Sequence, residues 1–159
     1  METALAVANY FVTKAINEGA ILTPMKLVKL VYVSHGWYLA LYDEPLISEA
    51  VQAWKFGPVI PTVYHGFKDY GDQQITSCAT EFMNYNLVVP IVKKDDTKKF
   101  LNAVWEEYKK FNGLQLSALT HQSDTPWDIV YNQQGGSKRN GAIITNDLIK
   151  EHYKGKIAA

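Results

Sequence analysis

The run from Thr23 to about Tyr42 constrains the fold more than any other stretch, because its apolar residues nearly encircle a helix. Thr23 can cap a helix with its hydroxyl, and Pro24 suits the first helical position, where a missing N–H costs nothing. At helical spacing, Leu27, Val31, Ser34, Tyr38 and Leu41 make one stripe, and Met25, Val28, Tyr32, His35, Leu39 and Tyr42 a second. Only Lys26, Lys29 and the small Gly36 and Ala40 suggest a third, wetter face. A helix apolar around most of its circumference is usually buried. This one is expected at the centre of the domain, with its Lys26 and Lys29 edge reaching solvent.

The rest of the chain reads as shorter elements around that helix. Residues 2–17 form an amphipathic helix through Leu5, Ala8, Val12 and Ile16, stopped by Gly19. Asp43, Glu44 and Pro45 break the central helix, and residues 46–56 suit a small strand pair or an extended loop on the core. Gly57-Pro58 reads as a turn, and Pro61 opens a short helix that stops near Gly71. Residues 72–96 are the least helical part; the run 87–92, with Pro90 inside it, suits an edge strand or a buried loop. A helix from Thr97 presents Leu101, Val104, Trp105, Tyr108 and Phe111 on one face and ends at Asn112-Gly113. Short helices follow over Leu114–Thr120 and from Trp127 to about Gln133, then a polar, flexible loop over 134–141. Thr145 can cap a last helix, with Asp147 favourable in its first turn. The expected fold is mainly α: one compact helical domain spanning 1–159, its core at about 5–153, with a minor short β element.

A chain of 159 residues can bury roughly 70% of its unfolded surface, so neither a disulfide nor a metal is needed for stability. Sixteen basic residues balance sixteen acidic ones, and only Arg139 is an arginine. Nucleic-acid binders carry a basic excess and favour arginine for bidentate contacts, so direct nucleic-acid binding is not expected. Cys78 is the only cysteine and reads as a half-buried hydrophobe. No stretch approaches a signal peptide or a membrane span, and a soluble, cytoplasmic protein is expected.

Catalytic signatures are absent from the sequence. His35, His65, His121 and His152 show no helical metal-ligand spacing, and no metalloprotease, phosphate-loop or nucleophile-elbow motif occurs. No cofactor and no metal are expected. His35 reads as a core histidine with its ring nitrogens bonded to neighbours; as a general base it would need a partner such as Asp124 or Glu106. The cluster from Thr120-His121 to Pro126-Trp127 is explained by capping from Ser123, Asp124 or Thr125, with Trp127 packed inward. The glycines at 135 and 136, followed by Ser137, Lys138 and Arg139, match no phosphate loop. Four tryptophans and ten tyrosines exceed what a core requires, and such residues are enriched at protein contacts.

One ordered set of motifs carries a family resemblance. It begins with Thr23 to Tyr32 and His35-Gly36-Trp37-Tyr38-Leu39, and continues with Pro45-Leu46 and Glu49 to Val59, then Pro61 and Tyr64. Leu119-Thr120-His121 and Pro126-Trp127 complete it. Over about residues 5–153 the chain resembles the Panacea domain, the SocA-like and GepA-like antitoxins of bacteria and their phages. The resemblance implies an antitoxin, not an enzyme, encoded beside a cognate protein toxin and neutralising it by direct contact. Many such toxins block translation, and a phage-defence setting is implied. One branch resembles an adaptor that delivers its toxin to the ClpXP protease; a hydrolase using His121 is the remaining alternative. Members with an added DNA-binding domain are longer than this chain.

The resemblance also implies a shared scaffold of Thr23, Pro24, Leu27, Leu30, Tyr32, His35, Trp37, Gly57, Pro58, His121 and Trp127. Trp54 belongs to the same motifs. The expected partner contacts are Lys26, Lys29, Trp54, Lys55, Tyr64, Lys138 and Arg139. Toxin choice is expected in the less patterned segments 72–96 and 134–141.

Overall fold

Seven α-helices and five short strands make the molecule, described for residues 1–158 by a computed structural model. Helix α2, Pro24–Tyr42, lies at its centre, flanked by α1 (Ala4–Glu18), α4 (Asp95–Tyr108), α5 (Gly113–Thr120) and α7 (Asn146–Ala158). The Thr23 side chain accepts from the Lys26 N–H, Pro24 follows in the first turn, and Asp43 ends the helix in the left-handed conformation. Leu27, Leu30 and Val31 are completely buried. The mainly α expectation and the limits of this helix hold.

The expected wet face of α2 does not. Lys26, Lys29, Gly36 and Ala40 are all buried. Helix α7 lies against Gly36 so closely that a Cβ there would stand 2.3 Å from the Tyr153 ring. Lys26 reaches across to donate to the Lys109 carbonyl at 2.7 Å, its ammonium 5.6 Å from the Trp105 ring centre. Long alkyl stems let lysines cover apolar surface while the ammonium finds an acceptor, and here the acceptors are backbone carbonyls. Exposure falls instead on Met25 at one end and on Leu41 and Tyr42 at the other.

Strands β1 (Val51–Trp54), β2 (Gly57–Val59) and β5 (Ala142–Ile144) form an antiparallel sheet in the order β2-β1-β5, with Gln52 opposite both Val59 and Ile143. The β1–β2 loop is Lys55-Phe56, so Gly57-Pro58 begins the second strand instead of forming the turn. Strand β5 gave no signal of its own: three residues between a glycine-rich loop and a helix cap are too few for a visible alternation.

Helix α3 (Pro61–Phe67) and a 3₁₀ turn to Tyr70 follow the sheet's hairpin. Strands β3 (Glu81–Met83) and β4 (Asn86–Val88) pair through Asn84 and Tyr85, both at positive φ. The run 87–92 is not a buried loop: Leu87, Val89 and Ile91 are exposed and only Val92 enters the core. Asn112-Gly113 starts α5 instead of ending α4, since Asn112 and Gln115 form a reciprocal capping box. Helix α6 (Pro126–Asp128) runs into a π-helical turn ending at Gln133. Among the described residues no helix is long and apolar enough to cross a membrane.

Candidate functional site: a braced hairpin and its groove

The Trp54, Phe56 and Pro58 carbonyls of the β1–β2 hairpin accept hydrogen bonds from donors outside the sheet. Three side chains supply them. Trp127 Nε1 donates to the Trp54 carbonyl at 2.6 Å, Ser117 Oγ to the Phe56 carbonyl at 2.8 Å, and Lys29 Nζ to the Pro58 carbonyl at 2.9 Å. These donors come from α6, α5 and α2, so three helices hold one two-residue loop. A buried acceptor left unpaired costs roughly 1–3 kcal/mol, which makes the brace a strong constraint on the loop's position.

Gly57 makes the arrangement sterically feasible. Its φ is +120°, and a Cβ there would sit 3.0 Å from Lys29 Nζ. An alanine would meet both backbone strain and the ammonium. Burial of Lys29 lowers its pKa to about 7, because removing the ammonium from water disfavours the charged form.

Outward of the brace lies an apolar groove of about 450 Å³. Its walls come from α2 (Met25, Val28, Lys29), the hairpin (Trp54, Lys55, Phe56, Val59) and α3 with its following turn (Tyr64, Lys68). Tyr64 and Trp54 meet edge to face with centroids 4.9 Å apart, and Phe56 is 63% exposed. On the other side of Trp54 and Lys55 a second hollow of about 320 Å³ is lined by Tyr131, Ser137 and Arg139.

Of the seven expected contacts, Trp54, Lys55 and Tyr64 therefore converge on one groove, with Lys29 in its lining. Arg139 borders the adjoining hollow, and Lys138 is exposed beside it in sequence. Lys26 lies apart, buried against Trp105. The expectation that Lys26 and Lys29 face solvent is corrected by their burial. Sequence reading missed Ser117 as a brace, because a serine inside a short helix carries no pattern that marks its acceptor.

Other residues expected as scaffold pack around these. Trp37 Nε1 donates to the Tyr108 hydroxyl at 2.7 Å, and Tyr32 is buried with its ring against Tyr153. His35 Nε2 meets Asn146 Oδ1 at 2.9 Å, while its Nδ1 has no partner among the described residues, so only one ring nitrogen is bonded as expected. Desolvation lowers the pKa of His35. Thr125 caps α6 by accepting from the Asp128 N–H, as the sequence suggested, and Trp127 packs inward.

His121 stands beside a serine whose proton is engaged elsewhere. Its Nδ1 stands 3.4 Å from Ser117 Oγ, whose proton is committed to the Phe56 carbonyl. Asp124 Oδ1 accepts from Gln133 Nε2. Among the described residues no group of three or more His, Cys, Asp or Glu side chains could hold a metal ion.

A second exposed surface is the β3–β4 hairpin, with Phe82 at 70%, Tyr85 at 97% and Leu87 at 66% exposure. Buried Asn9 of α1 grips its base: Nδ2 donates to the carbonyls of Ala79 and Pro90, and Oδ1 accepts from the Ala79 N–H.

Comparison with known proteins gives two matches. Residues 27–128 match the family model described as Antitoxin SocA-like, Panacea domain. The chain is 30% identical over 154 residues to the protein named Antitoxin SocA from Caulobacter vibrioides (strain NA1000 / CB15N), covering 95% of this chain and 82% of that one. No solved structure matches.

Proposed function

The chain belongs to the SocA-like antitoxins of the Panacea domain, and from that premise we propose that it neutralises a cognate protein toxin by direct binding, the toxin being one that blocks translation. The observation that supports this reading is the braced hairpin. Three helices spend buried donors on holding a loop whose outer side is aromatic, apolar and exposed. A fixed surface loses little conformational entropy on association, and tryptophan, tyrosine and phenylalanine side chains are enriched at protein interfaces. A cytoplasmic location follows from a partner that acts on translation.

The test is co-expression. Each gene neighbouring this one is expressed alone and together with it, and growth and toxin level are recorded. Restored growth with the toxin intact and recovered in a complex is expected. Loss of the toxin only when ClpXP is present would replace direct neutralisation with delivery to a protease. A set of neighbours none of which is toxic would overturn the antitoxin reading.

A further inference from the structure

The groove in front of the brace has a one-sided charge. Its lining is mostly apolar, and every charged side chain in it is a lysine: Lys29, Lys55 and Lys68. Lys29 is 3% exposed, uses its ammonium on one carbonyl, and has no carboxylate partner among the described residues. Lys55 and Lys68 are exposed at the rim, free of any ion pair among the described residues. Val28, Phe56 and Tyr64 supply apolar surface between them.

We propose that this groove seats an aromatic side chain of the toxin flanked by carboxylates, the ring lying among Val28, Phe56 and Tyr64 and the carboxylates facing Lys55 and Lys68. The identity of the partner as a toxin rests on the function proposed above; the chemistry of the groove rests on its lining. Opposite charges at the rim would speed encounter and fix register, while the ring supplies the buried contact. A basic or purely apolar segment would leave the lysines unpaired or repelled.

Two arms test this. In the first, the isotope-labelled full chain is titrated with acetyl-Asp-Trp-Asp-amide and with acetyl-Lys-Trp-Lys-amide. The acidic peptide is expected to shift the Trp54 indole resonance and the Lys55 and Tyr64 amides, and the basic one is not. The Lys55→Glu, Lys68→Glu double variant, altered only at exposed positions, is expected to reverse that preference. No shift at these residues, or equal shifts from both peptides, would overturn the proposal.

In the second arm, the same double variant is expected to weaken binding of the toxin recovered by co-expression on the order of tenfold. Unchanged affinity would overturn the groove as the toxin's seat while leaving the antitoxin reading standing. If the unsubstituted chain binds no toxin at all, the antitoxin reading fails, and the peptide arm alone decides the chemistry of the groove.

Discussion

At the scale of single residues, Lys29 links packing to the presented surface. Its ammonium is held inside the domain by the Pro58 carbonyl and given room by Gly57. Burial lowers its pKa to about 7, whereas an unfolded lysine titrates near ~10.4. Below pH 7 both states are protonated and the full desolvation penalty is present. Between pH 7 and about 10 the unfolded chain holds a proton that the folded chain has released, so stability rises with pH. The gain approaches roughly 1.4 kcal/mol for each unit separating the two pKa values. Lys26, also lowered by burial, adds in the same direction. Near the top of the window Tyr32 and Tyr153 act oppositely, because burial raises their pKa values and the unfolded phenols ionise first. Urea unfolding between about pH 6.5 and about pH 9.5 is expected to show a rising midpoint that is largely flattened in Lys29→Met. Equal slopes in the two proteins would show that Lys29 is charged and satisfied when folded.

At the scale of elements, the caps were the legible part. Thr23, Gly19, Thr125 and Thr145 announce helix limits because each satisfies a backbone group within four residues of itself, and Pro24 and Pro61 because they lack the N–H that a first turn leaves unpaired. What the sequence left illegible depends on distant partners. Lys26 and Lys29 read as wet because nothing local reveals that the Lys109 and Pro58 carbonyls await them. Asn112-Gly113 carries turn chemistry that serves equally to end one helix or begin the next, and the Gln115 side chain decides for the second. Trp54, Lys55 and Tyr64 are expected contacts from the sequence, but the groove that joins them appears only when α2, the hairpin and α3 are assembled. The β3–β4 hairpin is exposed, and Asn9 fastens its base to α1. Asn9→Ala removes three hydrogen bonds from buried or half-buried backbone and is expected to destabilise the chain by roughly 1–3 kcal/mol. Amides of residues 79–91 are expected to lose more hydrogen-exchange protection than those of α2. A uniform loss across both would mean that the hairpin opens only with the whole domain.

At the scale of the whole molecule, the fold separates scaffold from presented surface. Helix α2 supplies both: its middle is buried under α5 and α7, while its first turns provide Met25, Val28 and Lys29 to the groove. The stretches Thr23 to Tyr32, Trp54 to Pro58 and Pro126-Trp127, on which the resemblance was read in the sequence, meet at this one place, although up to about a hundred residues separate them. Segments 72–96 and 134–141 supply none of the three donors of the brace, although 134–141 packs beside it, with Arg139 and Gly141 in the hollow that Trp54 and Lys55 line. Neutralisation by contact requires only the two proteins. The most direct measurement is therefore a cell-free translation reaction poisoned by the purified cognate toxin and then supplied with this chain, with no protease present. Translation is expected to recover in proportion to the chain added, reaching completion when it matches the toxin mole for mole or at another fixed ratio. No recovery in that mixture, with growth rescue seen only in cells that contain ClpXP, would contradict neutralisation by direct binding.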